Sequence, residues 1–228
     1  MIEDVKKLAY KLLENETSGH DAEHIQRVLD LSLKFADQEQ ADSEIVALAA
    51  LLHDVDDYKI FGKKNAEELS NAIKILADAK VNDDVKQKVL TIIKTMGYSK
   101  CLKGIRPTTI EGKVVSDADM CDASGANGIL RIHAYGLSHG KSFFDHNIWP
   151  VINESVEGYT KKAAVGTPGV CHIFEKILKL KNLMLTASGK QEATKRHEIV
   201  IVEFLRNLFE EENTPNWLEY LDKYNPNP

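Results

Sequence analysis

The feature that most constrains this 228-residue chain is an apolar run, Ile45 to Leu52, that ends directly in His53-Asp54. A segment apolar on nearly all sides reads as a central buried helix, here over about 44 to 53, with Asp42 or Ser43 as its cap. Such a helix delivers an imidazole and a carboxylate to the edge of a core, where neither is cheap to leave unpartnered. A metal ion satisfies both, so the rest of the chain is expected to bring further ligands to this point. The bland alternative is a helix-terminal His beside an Asp that bonds nearby backbone N–H groups.

The flanking sequence predicts helices throughout. Residues 2 to 14 are amphipathic, and Asp21 can cap a second helix whose apolar stripe (Ala22, Ile25, Val28, Leu29) includes His24. Asp54 to Gly62 reads as an exit loop, followed by helices over 64 to 79 and 83 to 96, the second ended by Gly97. Cys101 to Thr108 reads as a loop, Ile110 to Met120 as a helix closing on Asp117, Asp119 and Asp122, and Ser124 to Leu137 as a closely packed helix. Gly140 to Pro168 is expected to be mainly loop, with a short helix near 152 to 164. Helices from Pro168 to about Leu185 and from 189 to 212 follow, the latter with Ile199, Val202, Phe204, Leu205 and Leu208 inward. No segment has the alternation of a strand, so the fold class is all-α.

Nothing in the composition marks a break, so one domain over 1 to 228 is expected, with a core at about 18 to 125 and a helical extension at about 126 to 223. The formal charge of −6 comes without a basic stripe or tail, which disfavours a long nucleic-acid partner. Cys101, Cys121 and Cys171 lack CxxC spacing, which argues against both a disulfide framework and a thiolate zinc site. With no run of roughly 20 apolar residues and no signal-like N-terminus, a soluble, cytoplasmic protein is expected, with no membrane partner. A homo-oligomer is compatible with all of this.

His24, His53, Asp54 and Asp119 together make a mixed nitrogen and oxygen set suited to Mn²⁺, Fe²⁺, Co²⁺ or Mg²⁺, with Ni²⁺ or Zn²⁺ as alternatives. Arg27, one turn after His24, can hold a phosphate by a two-pronged contact or form an ordinary ion pair. Asp117 and Asp122 are expected to bond the turn around Asp119. His20-Asp21-Ala22-Glu23-His24 also spells the inverted zinc-protease motif, which leaves His53-Asp54 and Asp119 unexplained.

The order His24, Arg27-Val28, His53-Asp54 and then Asp119 resembles the HD superfamily of metal-dependent phosphohydrolases. Gly19-His20-Asp21, Asp57-Tyr58-Lys59, Glu111-Gly112-Lys113, Gly125-Ala126, Gly128-Ile129, His172, Phe174-Glu175-Lys176, Thr186 and Arg196 extend the likeness to a bacterial subgroup of manganese-dependent nucleoside triphosphate pyrophosphohydrolases. The resemblance implies an HD-domain bundle with metal ligands at His24, His53, Asp54 and Asp119, and Mn²⁺ as the ion. It implies Asp57, with Asp54, as the catalytic carboxylates, Asp57 orienting the attacking water. It makes Arg27, Lys59, Arg131, His172, Lys176 and His20 the contacts to a small phosphorylated substrate, a nucleotide cleaved to monophosphate and pyrophosphate. Other HD phosphatases or phosphodiesterases, and a non-catalytic nucleotide-sensing module, share the same ligands. The chain departs from the subgroup at Met96-Gly97-Tyr98-Ser99-Lys100, where a Ser-Phe-Lys-like segment is usual, and this bears on substrate choice.

Overall fold

The structure, a computed structural model, describes residues 1–14, 21–152 and 167–224, with the side chain of Lys59 outside the description. His20, Lys161-Lys162, almost all of the helix expected near 152 to 164 and the tail from Asn225 therefore lie outside the described residues. All regular structure described is helical. The chain divides into two compact units, Met1–Asp122 with Met184–Lys190, and Ala123–Leu183 with Gln191–Pro228.

The first unit is built around the apolar run. The helix α3 (Ser43–Leu52) buries every residue from Ile45 to Leu52 and packs against α1 (Ile2–Leu12), α2 (Ala22–Glu39) and α6 (Asp83–Thr95). Its start is set by Asp42, whose side chain accepts from the amides of Glu44 and Ile45 at 2.9 and 3.2 Å. Asp21 caps α2 in the same way, accepting from the His24 amide at 2.8 Å. The opposite end of α2 stops at Gln40 in the left-handed region, with the Ala41 amide returning to the Ala36 carbonyl.

The exit from α3 is tighter than the expected loop. Asp54 to Asp57 form a turn, and α4 (Tyr58–Glu68) begins at once, with Gly62 at φ 80° breaking its helical geometry. The helix expected over 64 to 79 is split at Leu69, itself at φ 54°, so α5 (Ser70–Asp78) starts afresh. A left-handed Leu is invisible to periodicity, because its cost is met by contacts remote in sequence. Beyond α6, the expected loop at Cys101 to Thr108 is entered by a short helix, α7 (Tyr98–Leu102). The next helix, α8 (Ile110–Ala123), runs three residues past the predicted end, and that extension places Asp122 on a helix.

In the second unit α9 (Ala126–Ser138) is followed, after the undescribed stretch, by α10 (Gly169–Glu175) and a 3₁₀ segment, Ile177–Leu183, where one continuous helix to Leu185 is expected. The long helix expected over 189 to 212 is α11 (Ala187–Arg196), which passes through a π-helical stretch, His197–Val202, into α12 (Glu203–Glu211). Ile201, Val202, Leu205 and Phe209 face inward, whereas Ile199 is 63% exposed, contrary to the expectation. The π turn adds a residue to the local repeat and so rotates the apolar face away from an ideal 3.6 period. The last helix, α13 (Pro215–Tyr224), places Trp217 under Trp149, the two rings stacked at 4.1 Å. Cys101, Cys121 and Cys171 are buried thiols.

Candidate metal centre

Four side chains converge within the first unit. His24 Nε2 lies 3.2 Å from His53 Nε2, 3.3 Å from Asp54 Oδ2 and 3.6 Å from Asp119 Oδ1. His53 Nε2 lies 3.4 Å from Asp54 Oδ2 and 3.8 Å from Asp119 Oδ1. Ligands bonded to one ion at about 2.1 Å stand roughly 3.0–3.5 Å apart in octahedral or tetrahedral arrangement, so these separations suit donors around a single centre. His24, His53 and Asp119 form a compact ligand group, and the distances from Asp54 to both rings add it as the fourth. His24 is completely buried while the Asp119 side chain is 30% exposed, so access is from the Asp119 side.

The outward nitrogens decide what the cluster can hold. His24 Nδ1 donates to Asp122 Oδ2 at 2.8 Å, and His53 Nδ1 donates to the Ala50 carbonyl at 2.8 Å. Each neutral ring then turns its Nε2 lone pair inward, and two lone pairs facing each other at 3.2 Å beside two carboxylates call for a cation. The contact between the rings is a hydrogen bond only if one carries a second proton. Burial disfavours a charged His53, but Asp54 and Asp119 outweigh it and hold the ring up to about 9, which expresses the same demand for positive charge. The donor set of two imidazoles and two carboxylates fits a borderline or harder divalent ion.

Helical geometry sorts the three aspartates of α8. At about 100° per residue, Asp119 and Asp122 share a face and Asp117 points nearly opposite. Asp117 and Asp122, expected to be structural and to cap or bond the turn around Asp119, accept hydrogen bonds from residues distant in sequence. Asp122 reaches His24 and also accepts from Arg27, Nε to Oδ1 at 2.7 Å and Nη2 to Oδ2 at 3.2 Å. Burial pushes the Asp122 carboxyl up, yet His24 and Arg27 prevail and hold it well below the usual carboxylate range. Asp117 is buried and accepts from the Leu185 and Thr186 amides and from Thr186 Oγ1 at 2.7 Å, tying Met184–Lys190 to α8. Desolvation raises its carboxyl, with Thr186 and Leu185 working against that rise.

Asp56 is a structural residue that the sequence reading passed over. It is 4% exposed and accepts from Asn65 Nδ2 and from the amides of Asn71 and Ala72, so it caps α5 from outside that helix. The Asp57 amide donates to the Asp54 carbonyl at 3.0 Å, which closes the turn between the candidate ligand and the carboxylate expected to orient water. Arg131, His172 and Lys176 belong to the second unit, and their expected phosphate contacts rest on the resemblance alone.

A His from one helix, a His-Asp pair closing the next and an Asp from a distant third thus make up the candidate site, in the order that the HD resemblance implies. Residues 21–124 match the HD domain family. Over 208 residues, 90% of this chain and 91% of its counterpart, the sequence is 30% identical to the uncharacterised protein YpgQ of Bacillus subtilis. Among solved structures, a Lactobacillus plantarum protein is 31% identical with a TM-score of 0.79, covering 94% of this chain and 97% of its own. An HD-superfamily hydrolase from Bacillus thuringiensis is 34% identical with a TM-score of 0.70, covering 93% and 97%. YpgQ in complex with ADP is 28% identical with a TM-score of 0.69, covering 92% and 97%. This chain belongs to the HD superfamily. No helix among the described residues is long and apolar enough to cross a membrane.

Proposed function

We propose that this protein is a metal-dependent phosphohydrolase that cleaves a (deoxy)nucleoside triphosphate to the monophosphate and pyrophosphate. The observation that carries the reading is the approach of His24 and His53 at 3.2 Å, with Asp54 and Asp119 each within 3.3–3.8 Å of both rings and the Asp119 side open to a ligand. A divalent ion held there, Mn²⁺ in this proposal, supplies charge stabilisation for phosphate oxygens and acidifies water. The ADP complex of the related YpgQ supports a nucleotide as the ligand.

In the reaction, water adds to the α-phosphorus, the bond to the bridging oxygen breaks, and pyrophosphate leaves. Asp57, on the turn that begins with Asp54, orients the water and accepts its proton. One or more basic side chains, Lys59 among the candidates, neutralise the phosphate chain, since such transfers depend on positioning and charge.

The test is a panel of nucleoside triphosphates, diphosphates and monophosphates incubated with Mn²⁺, Mg²⁺, Co²⁺ and Zn²⁺, with phosphate and pyrophosphate resolved. Pyrophosphate in equal amount to the monophosphate is expected. Orthophosphate as the product refutes the pyrophosphohydrolase, and nucleotide binding without turnover in metal-replete protein refutes the enzyme.

A further inference from the structure

Arg27 is placed by its sequence for a phosphate, one turn after His24, yet its Nε and Nη2 both engage Asp122. The same carboxylate takes the Nδ1 proton of His24. Both contacts run from α2 to one residue of α8: α2 carries the candidate ligand His24 and the cation Arg27, and α8 carries the candidate ligand Asp119 and the anion Asp122 that receives both. We propose that Arg27 and Asp122 form one positioning unit, in which Arg27 orients the Asp122 carboxylate and Asp122 keeps the proton of His24 on Nδ1, so that Nε2 is presented inward. This inference rests on the metal-binding reading of the cluster.

The charges explain why both members are needed. Asp54 and Asp119 already balance a divalent ion, so the nearby Asp122, whose side chain is 4% exposed, would add an uncompensated negative charge without Arg27. The fork also holds the carboxylate in plane, leaving Oδ2 aimed at His24. Arg27 thus acts through Asp122, and its two-pronged contact is made within the chain.

This arrangement makes the two residues interdependent in a recognisable way. In Asp122→Asn, the single amide oxygen is claimed by the charged Arg27, and the NH₂ group turns to His24. His24 Nδ1 must then accept, its proton moves to Nε2, and the inward lone pair is lost. Removing Arg27 as well frees the Asn oxygen to face His24 again.

The experiment uses full-length, metal-free protein, with ¹⁵N spectra of the His24 ring to locate its proton, and calorimetric titration with Mn²⁺. Wild type is expected to show the Nδ1–H form. Asp122→Asn is expected to shift toward Nε2–H and to bind Mn²⁺ about 10- to 100-fold more weakly. Arg27→Met keeps the wild-type tautomer and loses a few-fold in affinity, and Arg27→Met/Asp122→Asn returns toward Nδ1–H. The proposal is overturned if Asp122→Asn keeps both the tautomer and the affinity, or if the double variant is no closer to wild type than Asp122→Asn. It also fails if Arg27→Met weakens nucleotide binding at saturating Mn²⁺ while Mn²⁺ affinity stays unchanged, which makes Arg27 a substrate ligand. Absence of divalent-ion binding by wild type refutes the metal reading instead, and the metal-free spectra still decide whether Asp122 sets the tautomer.

Discussion

Substituting Asp56 by Ala tests how the turn that carries Asp54 is held. Leu69 occupies the N-cap position of α5 in the left-handed region and makes no side-chain cap hydrogen bond, so the second and third amides of that helix, Asn71 and Ala72, depend on Asp56 at 2.9 Å each. Loss of an N-cap costs about 1–2 kcal/mol, and a buried donor left without an acceptor adds roughly 1–3 kcal/mol. About 3 kcal/mol is therefore expected from Asp56→Ala, and for a chain of this size that lowers Tm by roughly 6–12 °C. Circular dichroism melting measures the shift, and hydrogen exchange at Asn71 and Ala72 locates it. Asp56→Asn, which retains one acceptor oxygen, should fall between Ala and wild type. A Tm within 1 °C of wild type for Asp56→Ala, with unchanged exchange at those two amides, refutes the argument that this carboxylate anchors the turn.

Three further outcomes follow from the same geometry. His53→Ala should abolish the thermal stabilisation of wild type by Mn²⁺, which at 100 times Kd amounts to about 2.7 kcal/mol, as read by melting with and without the ion. A Cβ at Gly189 would sit 2.3 Å from Asp117 Oδ2, so Gly189→Val should destabilise by about 2–3 kcal/mol in denaturant unfolding, and an unchanged midpoint would show that Met184–Lys190 is not clamped against α8. Burial lowers the Lys100 ammonium from its ordinary 10.5, so the unfolded chain binds more protons between the folded and unfolded values. The penalty is full below the folded value and is relieved as pH rises through that interval, so wild type should gain stability relative to Lys100→Gln as pH rises toward 10.5, and a constant difference in Tm contradicts this.

Three of the candidate ligands were legible because each sits on a strong local signal. His24 lies on the buried stripe of a capped helix, and His53-Asp54 closes a helix that is apolar on every side, so their burial follows from short-range pattern alone. Asp122 was visible as a residue but not as a partner. The predicted helix stopped at Met120, and only its continuation to Ala123 puts Asp122 on the face of Asp119. Asp56 was illegible for a related reason, since its partners are the amides of a helix that the hydrophobic period did not separate from α4.

What the sequence alone determined is the class of the molecule, all-α and organised around Ile45 to Asp54, because burial of an apolar helix and the demands of its terminal His and Asp are local physics. Tertiary structure alone decided how the polar groups divide the work. Asp122 came to His24 and Arg27 across 98 and 95 residues, Asp117 to the Met184–Lys190 segment, and Asp56 to a helix without a cap of its own. Carboxylates of one chemical type took three different tasks because a hydrogen bond is set by where donors are brought in space, which residue spacing along one helix does not encode.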